Sequence, residues 1–150
     1  MNLKSILAAA GICLSAGVFS QDYQLTLSNT IIEFESDTTL SQIIMTNNRF
    51  AMIASKWNQE WLAQYYAAHG LIIQSYAETD AGKRDGLLDL AETYLKKSEE
   101  IAGKESDELD ILNASLASAR LAVQPGNRWK KQGEIFNEFM ARAKALNPDN

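Results

Sequence analysis

The chain repeats itself at an interval of 45 residues. Thr46, Phe50 and Ile53 followed by Asn58, Ala91, Leu95 and Ser98 followed by Gly103, and Phe136, Met140 and Ala143 followed by Pro148 share one spacing of four, three and five. A step of four and then three keeps the first three positions of each set on one face of a helix. Three copies in phase argue for a repeated supersecondary unit, each unable to bury its apolar face alone. A unit of this length has room for two helices and their turns, so the spacing predicts an all-α chain of antiparallel hairpins, either bundled or stacked as a short solenoid.

Local patterns agree with three pairs of helices. Tyr23, Leu25 and Leu27 alternate like a strand, but Leu27, Ile31 and Phe34 fit a helix face, which favours a helix over 22–35. Ser36, Asp37 and Thr38 are candidates to cap a second helix, with Leu40, Ile43, Ile44, Phe50, Ala51 and Ala54 as its apolar face to about Ser55. Asn58 is a candidate cap for a third helix, which from Trp61 to Ile73 is apolar on most sides and so is expected to be covered by several neighbours. Gly70 lowers helix propensity there by about 1 kcal/mol against alanine, so a close packing partner is expected beside it. The segment AGKRDG, residues 81–86, reads as a turn with two glycines. A fourth helix then carries Leu87, Leu88, Ala91, Tyr94 and Leu95 on one side and solvated charges on the other, with Gly103 as its C-terminal stop. Ser106 is placed to cap a fifth helix whose first turn holds Asp107, Glu108 and Asp110, the sign that a helix N-terminus favours. Pro125-Gly126 is expected to end it. Asn127 is expected to start a sixth, with Trp129, Ile135, Phe136, Phe139, Met140, Ala143 and Leu146 on its apolar side.

The last copy, F-x3-M-x2-A-x4-P within FNEFMARAKALNPDN, resembles the second helix of a tetratricopeptide repeat. The segment Asn58, Trp61, Tyr65, Tyr66 is also similar to one that follows the first hairpin in small exported repeat-like proteins of Bacteroidota-type bacteria. The likeness covers about residues 22–150 as three divergent hairpins. Phe136 is large where that family has a small residue, Gly103 replaces its proline, and 45 residues exceed its usual repeat of roughly 34. The resemblance implies a short solenoid whose first helices line a concave surface. In that phase Leu62, Tyr65, His69 and Ile72 face the groove, with Asp107 and Asp110 on the next hairpin, while Ala67, Ala68 and Leu71 pack inward.

Residues 1–20 call for separate treatment. Lys4 precedes an uncharged apolar run from Ile6 to Phe19, and Val18-Phe19-Ser20 suits a signal peptidase, so export with cleavage after Ser20 is expected. The run is shorter than the roughly 20 residues of a bilayer span, which favours cleavage over anchoring. Ile12 before Cys13 is not the small residue that a lipoprotein signal places there. Cys13 is the chain's one cysteine, so the processed protein would hold no disulfide. Loss of Lys4 makes the net charge of −5 one unit more negative, which disfavours nucleic acid and anionic lipid as partners. No stable membrane insertion is expected after processing.

Catalytic sets are hard to find. His69 is the only imidazole, and neither G-x-S-x-G nor HExxH occurs. The acidic run ESDELDIL lacks the glycine and spacing of a calcium loop. Asn113-Ala114-Ser115 matches a glycosylation acceptor but falls inside a predicted helix. No cofactor, metal or enzymatic activity is expected. Trp57, Trp61, Tyr65 and His69, spaced four apart, would form one stripe on a continuous helix. Such a stripe serves either as a packing seam or as the wall of a binding surface. The expected function is a non-catalytic exported scaffold that binds a protein or peptide through its first-helix surface. A carrier of a small hydrophobic ligand in an aromatic pocket is the alternative, and a carboxylate hydrolase a remoter one. The groove lacks a Lys/Asn cluster to clamp a peptide carboxylate, which argues against a receptor for chaperone tails.

Overall fold

The computed structural model describes residues 21–149, and among these every regular element is an α-helix. The expected signal peptide, its cleavage site after Ser20 and Cys13 lie outside the described residues or at their edge. The helices are α1 (21–36), α2 (Leu40–Lys56), α3 (Trp61–Ala77), α4 (Ala81–Ala102), α5 (Asp107–Val123) and α6 (Pro125–Leu146). None is long and apolar enough to cross a membrane.

Several junctions have a visible chemical cause, and several fall one to six residues from where the sequence predicts them. Thr39, not its three predecessors, caps α2: its hydroxyl accepts from the Gln42 backbone N–H, and the Gln42 side chain accepts in return from the Thr39 N–H. Asn58 stays in the turn, and Glu60 precedes α3 without a side-chain cap bond. The expected turn over AGKRDG is instead the first turn and a half of α4. Asp80 accepts from the Lys83 N–H at 2.8 Å and starts the helix six residues early. Glu78 holds the preceding bend by accepting from the N–H groups of Thr79 and Asp80. Two glycines signal a turn only where no better local cap competes, and here one does. Gly103 ends α4 with φ of 61°, the left-handed conformation that glycine adopts without a Cβ clash. Pro125 does not merely stop α5. It is the first residue of α6, where its missing N–H costs nothing, so a single residue, Gln124, links the two helices and Asn127 lies inside the first turn.

Packing follows chain order. α2 packs on α3, α3 on α4, α4 on α5 and α5 on α6, and α3 also touches α5. One core cluster joins α3, α4 and α5 through Ala68, Leu71, Ile72, Leu88, Leu95, Leu112 and Leu116. A second joins α1, α2 and α3 through Tyr23, Leu27, Phe50, Ile53, Ala63 and Ala67. α3 serves both, which explains why its sequence is apolar on most sides.

Polar side chains inside these seams donate to backbone carbonyls, while Asn47 Oδ1 and Gln64 Oε1 are buried without a partner. The Asn47 amide on α2 donates to the Gly70 carbonyl at 2.9 Å and to Gln74 Oε1 at 2.8 Å. A Cβ on Gly70 would drive into Asn47 Oδ1 and crowd Phe50 Cδ2 at 3.3 Å, so glycine is required for this approach of α2 to α3. Gln64, fully buried on α3, donates to the Ala54 carbonyl at 2.8 Å, one of the acceptors that the C-terminal turn of α2 leaves open. Ser98 on α4 donates to the Trp61 carbonyl at 2.8 Å.

α6 buries little of its apolar side. Of its predicted apolar side only Ala143 is buried, while Trp129, Phe136 and Leu146 are exposed. The equivalent positions of α2 and α4 sit against first helices, including that of a following hairpin, and among the described residues no helix follows α6.

Candidate functional site

The predicted aromatic stripe is broken by the turn between α2 and α3. Trp57 follows the last residue of α2 and packs on Tyr23 with ring centroids 5.5 Å apart, while the Lys56 ammonium lies 4.0 Å from its ring. The remaining members do share a face of α3. Trp61 meets Tyr65 edge-on at 6.1 Å, and Tyr65 stacks on His69 at 6.3 Å. Tyr66, Phe50 and Phe34 extend the contact into α2 and α1: Phe50 stacks on Tyr66 at 5.7 Å, and Phe34 meets both Phe50 and His69 edge-on. Rings at 4.5–7 Å in these geometries stabilise a seam beyond the area they bury.

The seam sets the chemistry of its polar members. Burial pushes the His69 imidazole below its ordinary pKa, and its buried Nδ1 has no hydrogen-bond partner. Burial also raises the Tyr65 phenol, helped by Tyr66 and by the Glu108 carboxylate on α5. The imidazole stacks on Tyr65 and meets Phe34 and Tyr66 edge-on, with burial favouring its neutral form.

The six residues expected to line a first-helix groove do not form one open surface. Leu62 is 36% exposed, but Ile72 is 1% exposed and Asp110 2%. Ile72 lies in the core because α3 is covered from both sides, and Asp110 because α6 closes over the start of α5. Asp110 pairs with Arg142 at 3.0 Å, its other oxygen is buried without a partner, and burial raises its pKa. Asp107 accepts from Asn147 at 2.8 Å. Asp107 and Asp110 thus secure α5 to the end of α6. Tyr65 and His69 remain together as partly buried neighbours.

Concave surface is found elsewhere, in two cavities that the sequence did not suggest. The smaller, of 220 Å³, lies between α2 and α4 over α3, and the larger, of 560 Å³, lies between α4 and α6 over α5. None of the six predicted residues lines either one. The two are the same groove in successive hairpins. Ile44, Asn47, Ala51, Leu71, Leu87, Leu90 and Tyr94 line the first. Shifted by the 45-residue repeat they become Asp89, Glu92, Lys96, Leu116, Gln132, Ile135 and Phe139, all of which line the second. Only Leu71/Leu116, Leu90/Ile135 and Tyr94/Phe139 keep their chemical type. Residue identity therefore hides the correspondence, and only carrying the register across whole helices would have found it.

The paired grooves differ in charge. The smaller is apolar with amide groups from Asn47, Asn48 and Gln74. The larger has an apolar floor of Leu95, Leu116, Ala117, Ile135 and Phe139 beneath charged side chains. Arg120 on α5 reaches Asp89 and Glu92 on α4 at 2.8 Å each, and Lys96 pairs with Glu92 at 2.7 Å. The hydrogen bond from Lys96, with Arg120 nearby, holds the Glu92 carboxyl below its ordinary pKa. Glu99 accepts from Asn113, while Glu138 and Lys131 stand at the α6 edge. Just outside, Arg128 grips Asp85 with two hydrogen bonds of 2.6 and 2.8 Å and ties α6 to the first turns of α4. Among the described residues no three His, Cys, Asp or Glu side chains are grouped to hold a metal ion.

No protein-family model, curated protein or solved structure matches the chain.

Proposed function

We propose that this chain is a non-catalytic scaffold of stacked helical hairpins, similar to a short tetratricopeptide-type solenoid and exported as its N-terminal sequence suggests, that holds a peptide segment of a partner protein. The observation that carries this reading is the recurrence of one groove, in register, in two successive hairpins. A single cavity can be an accident of packing. The same seven positions opening twice present a ligand with a row of matched sites, the arrangement that lets repeat proteins bind extended chains. The grooves lie between second helices, so the proposed contact surface is there rather than at Tyr65 and His69, whose rings are engaged in the seam.

The larger groove has the volume of a small-molecule site, about 300–1,000 Å³. Its rim carries Asp89, Glu92, Lys96, Glu99, Arg120, Lys131 and Glu138, which would have to be desolvated by a hydrophobic ligand, so a carrier function is the weaker reading. A peptide with apolar side chains for the floors and polar ones for the rim suits both grooves.

A displayed library of random peptides selected against the isolated chain tests the proposal. Selected peptides are expected to lose at least tenfold in affinity with Leu90→Lys in the smaller groove and with Phe139→Lys in the larger, and to bind Tyr65→Ala unchanged. Failure to select any peptide, or peptides sensitive to Tyr65→Ala and indifferent to both groove variants, would overturn it.

A further inference from the structure

The two ends of the hairpin stack expose the two faces that the middle of the stack buries against each other. At the C-terminal end, Phe136, Met140 and Ala143 stand in register with Ala91, Leu95 and Ser98 of α4, none more than 1% exposed, and with Thr46, Phe50 and Ile53 of α2, none more than 4%. Those earlier faces sit against first helices: Phe50 meets Phe34 on α1 and Tyr66 on α3, Ser98 donates to the Trp61 carbonyl on α3, and α4 also packs on α5 of the next hairpin. On α6 the same face is open over its N-terminal part: Phe136 is 36% exposed, and Trp129, seven residues earlier on that stripe, is 66% exposed, while Ala143 is 3% exposed. At the N-terminal end, Leu25 and Ile32 of α1 are 60% and 65% exposed. Shifted by one repeat they coincide with Gly70 and Ala77 of α3, and Gly70 is the point where α3 meets Asn47 and Phe50 of α2. The open face of α1 is therefore the counterpart of the face that α3 turns toward α2.

Charge distinguishes these ends. Residues 21–36 carry Asp22, Glu33 and Glu35 and no cation, whereas α6 carries five cations against Glu134 and Glu138. Four of these charges already have partners at home, in Asp22–Lys56, Glu33–Arg49, Arg128–Asp85 and Arg142–Asp110. What remains keeps its sign: Glu35 on α1, and Lys130, Lys131 and Lys144 against two glutamates on α6. An α6-to-α6 pairing would bring like charges together. An α1-to-α6 pairing brings opposite ones together and repeats the stacking already used twice inside the chain.

We propose that a second copy of this chain is the partner for the α6 face, its α1 seated there as α3 sits on α2 and α5 on α4. The contact joins two different surfaces, so it is head-to-tail and propagates into short filaments or closes as a ring. It is independent of the peptide-binding proposal, since neither face lines the grooves.

Sedimentation velocity on the isolated chain tests it. The expected result is a sedimentation coefficient that rises with concentration and falls back as salt is raised from about 50 to 500 mM, since exposed charges are screened over that range. Ile32→Glu on one face, and either Phe136→Glu or Trp129→Glu on the other, should each weaken self-association at least tenfold while leaving the helical circular dichroism intact. An equal mixture of the Ile32→Glu and Phe136→Glu proteins should form a one-to-one dimer, because each retains the face that the other lacks. A wild-type chain that stays monomeric at several hundred micromolar overturns the proposal. So does association that these variants leave unchanged, a mixture that stays monomeric, or an Ile32→Glu protein that still dimerises while Phe136→Glu does not, the last being the behaviour of symmetric α6-to-α6 pairing.

Discussion

Two residues of α3 show how one position can be legible in sequence and another not. Gly70 in a strongly apolar helix announces a close neighbour, and the neighbour is the Asn47 amide, which reaches the Gly70 carbonyl only because no Cβ intervenes. Gly70→Ala should therefore lower stability by about 1–3 kcal/mol through overpacking, although alanine is the better helix former. Urea unfolding followed by circular dichroism checks the sign. His69 was legible as an aromatic-stripe member but not as a partly buried imidazole whose Nδ1 has no partner, because burial depends on α1 and α2 arriving with Phe34, Phe50 and the rings between them. Its folded pKa lies below the unfolded value of about 6.5. The unfolded chain thus takes up the proton first, and the stability His69 allows is complete above that value and lost as pH falls below it. Asp110, with a raised pKa, contributes in the opposite sense, since its protonation relieves a buried charge. Replacing His69 with Phe should flatten the loss of stability between pH 7 and 5, measured as urea midpoints across that range. An unchanged slope would mean that the imidazole is not the titrating group.

Helix number and hairpin order were readable because apolar periodicity and the 45-residue skeleton point the same way. Helix boundaries were less so, because caps compete. The sequence AGKRDG contains two glycines, yet Asp80 supplies the side-chain acceptor and Asp85 the anchor for Arg128, and both favour an early start to α4. Gly86 gains nothing from its glycine there: its φ is not positive, and a Cβ would meet no atom within 4 Å. Gly86→Ala should raise stability by about 0.5–1 kcal/mol, read as a higher melting temperature. A lower one would show that this segment is a turn after all. The apolar side of α6 was legible as a pattern, and the structure leaves much of it exposed. Periodicity reports which face is apolar and cannot report whether a neighbour exists to cover it.

At the scale of the whole molecule, the repeat is what makes the structure interpretable. It places α2, α4 and α6 in equivalent roles and opens the same groove between successive pairs. It gives those grooves different linings, apolar between α2 and α4 and charged between α4 and α6. The sequence disclosed the register in three skeleton positions that α2 and α4 bury, where packing restricts residue size. It concealed the grooves, where Ile44 becomes Asp89 and Ala51 becomes Lys96 across one repeat. The aromatic residues of α3 that the sequence pointed to as a binding wall are engaged in a ring seam, and the grooves proposed as the contact surface lie between the second helices. The most direct test of the groove assignment is a two-dimensional amide NMR titration of the chain with a peptide selected against it. The expected result is a set of shifts clustered at Ile44, Leu90 and Tyr94 and at their repeat counterparts Asp89, Ile135 and Phe139. Shifts confined to Leu62, Tyr65 and His69, with the groove residues unmoved, would contradict it.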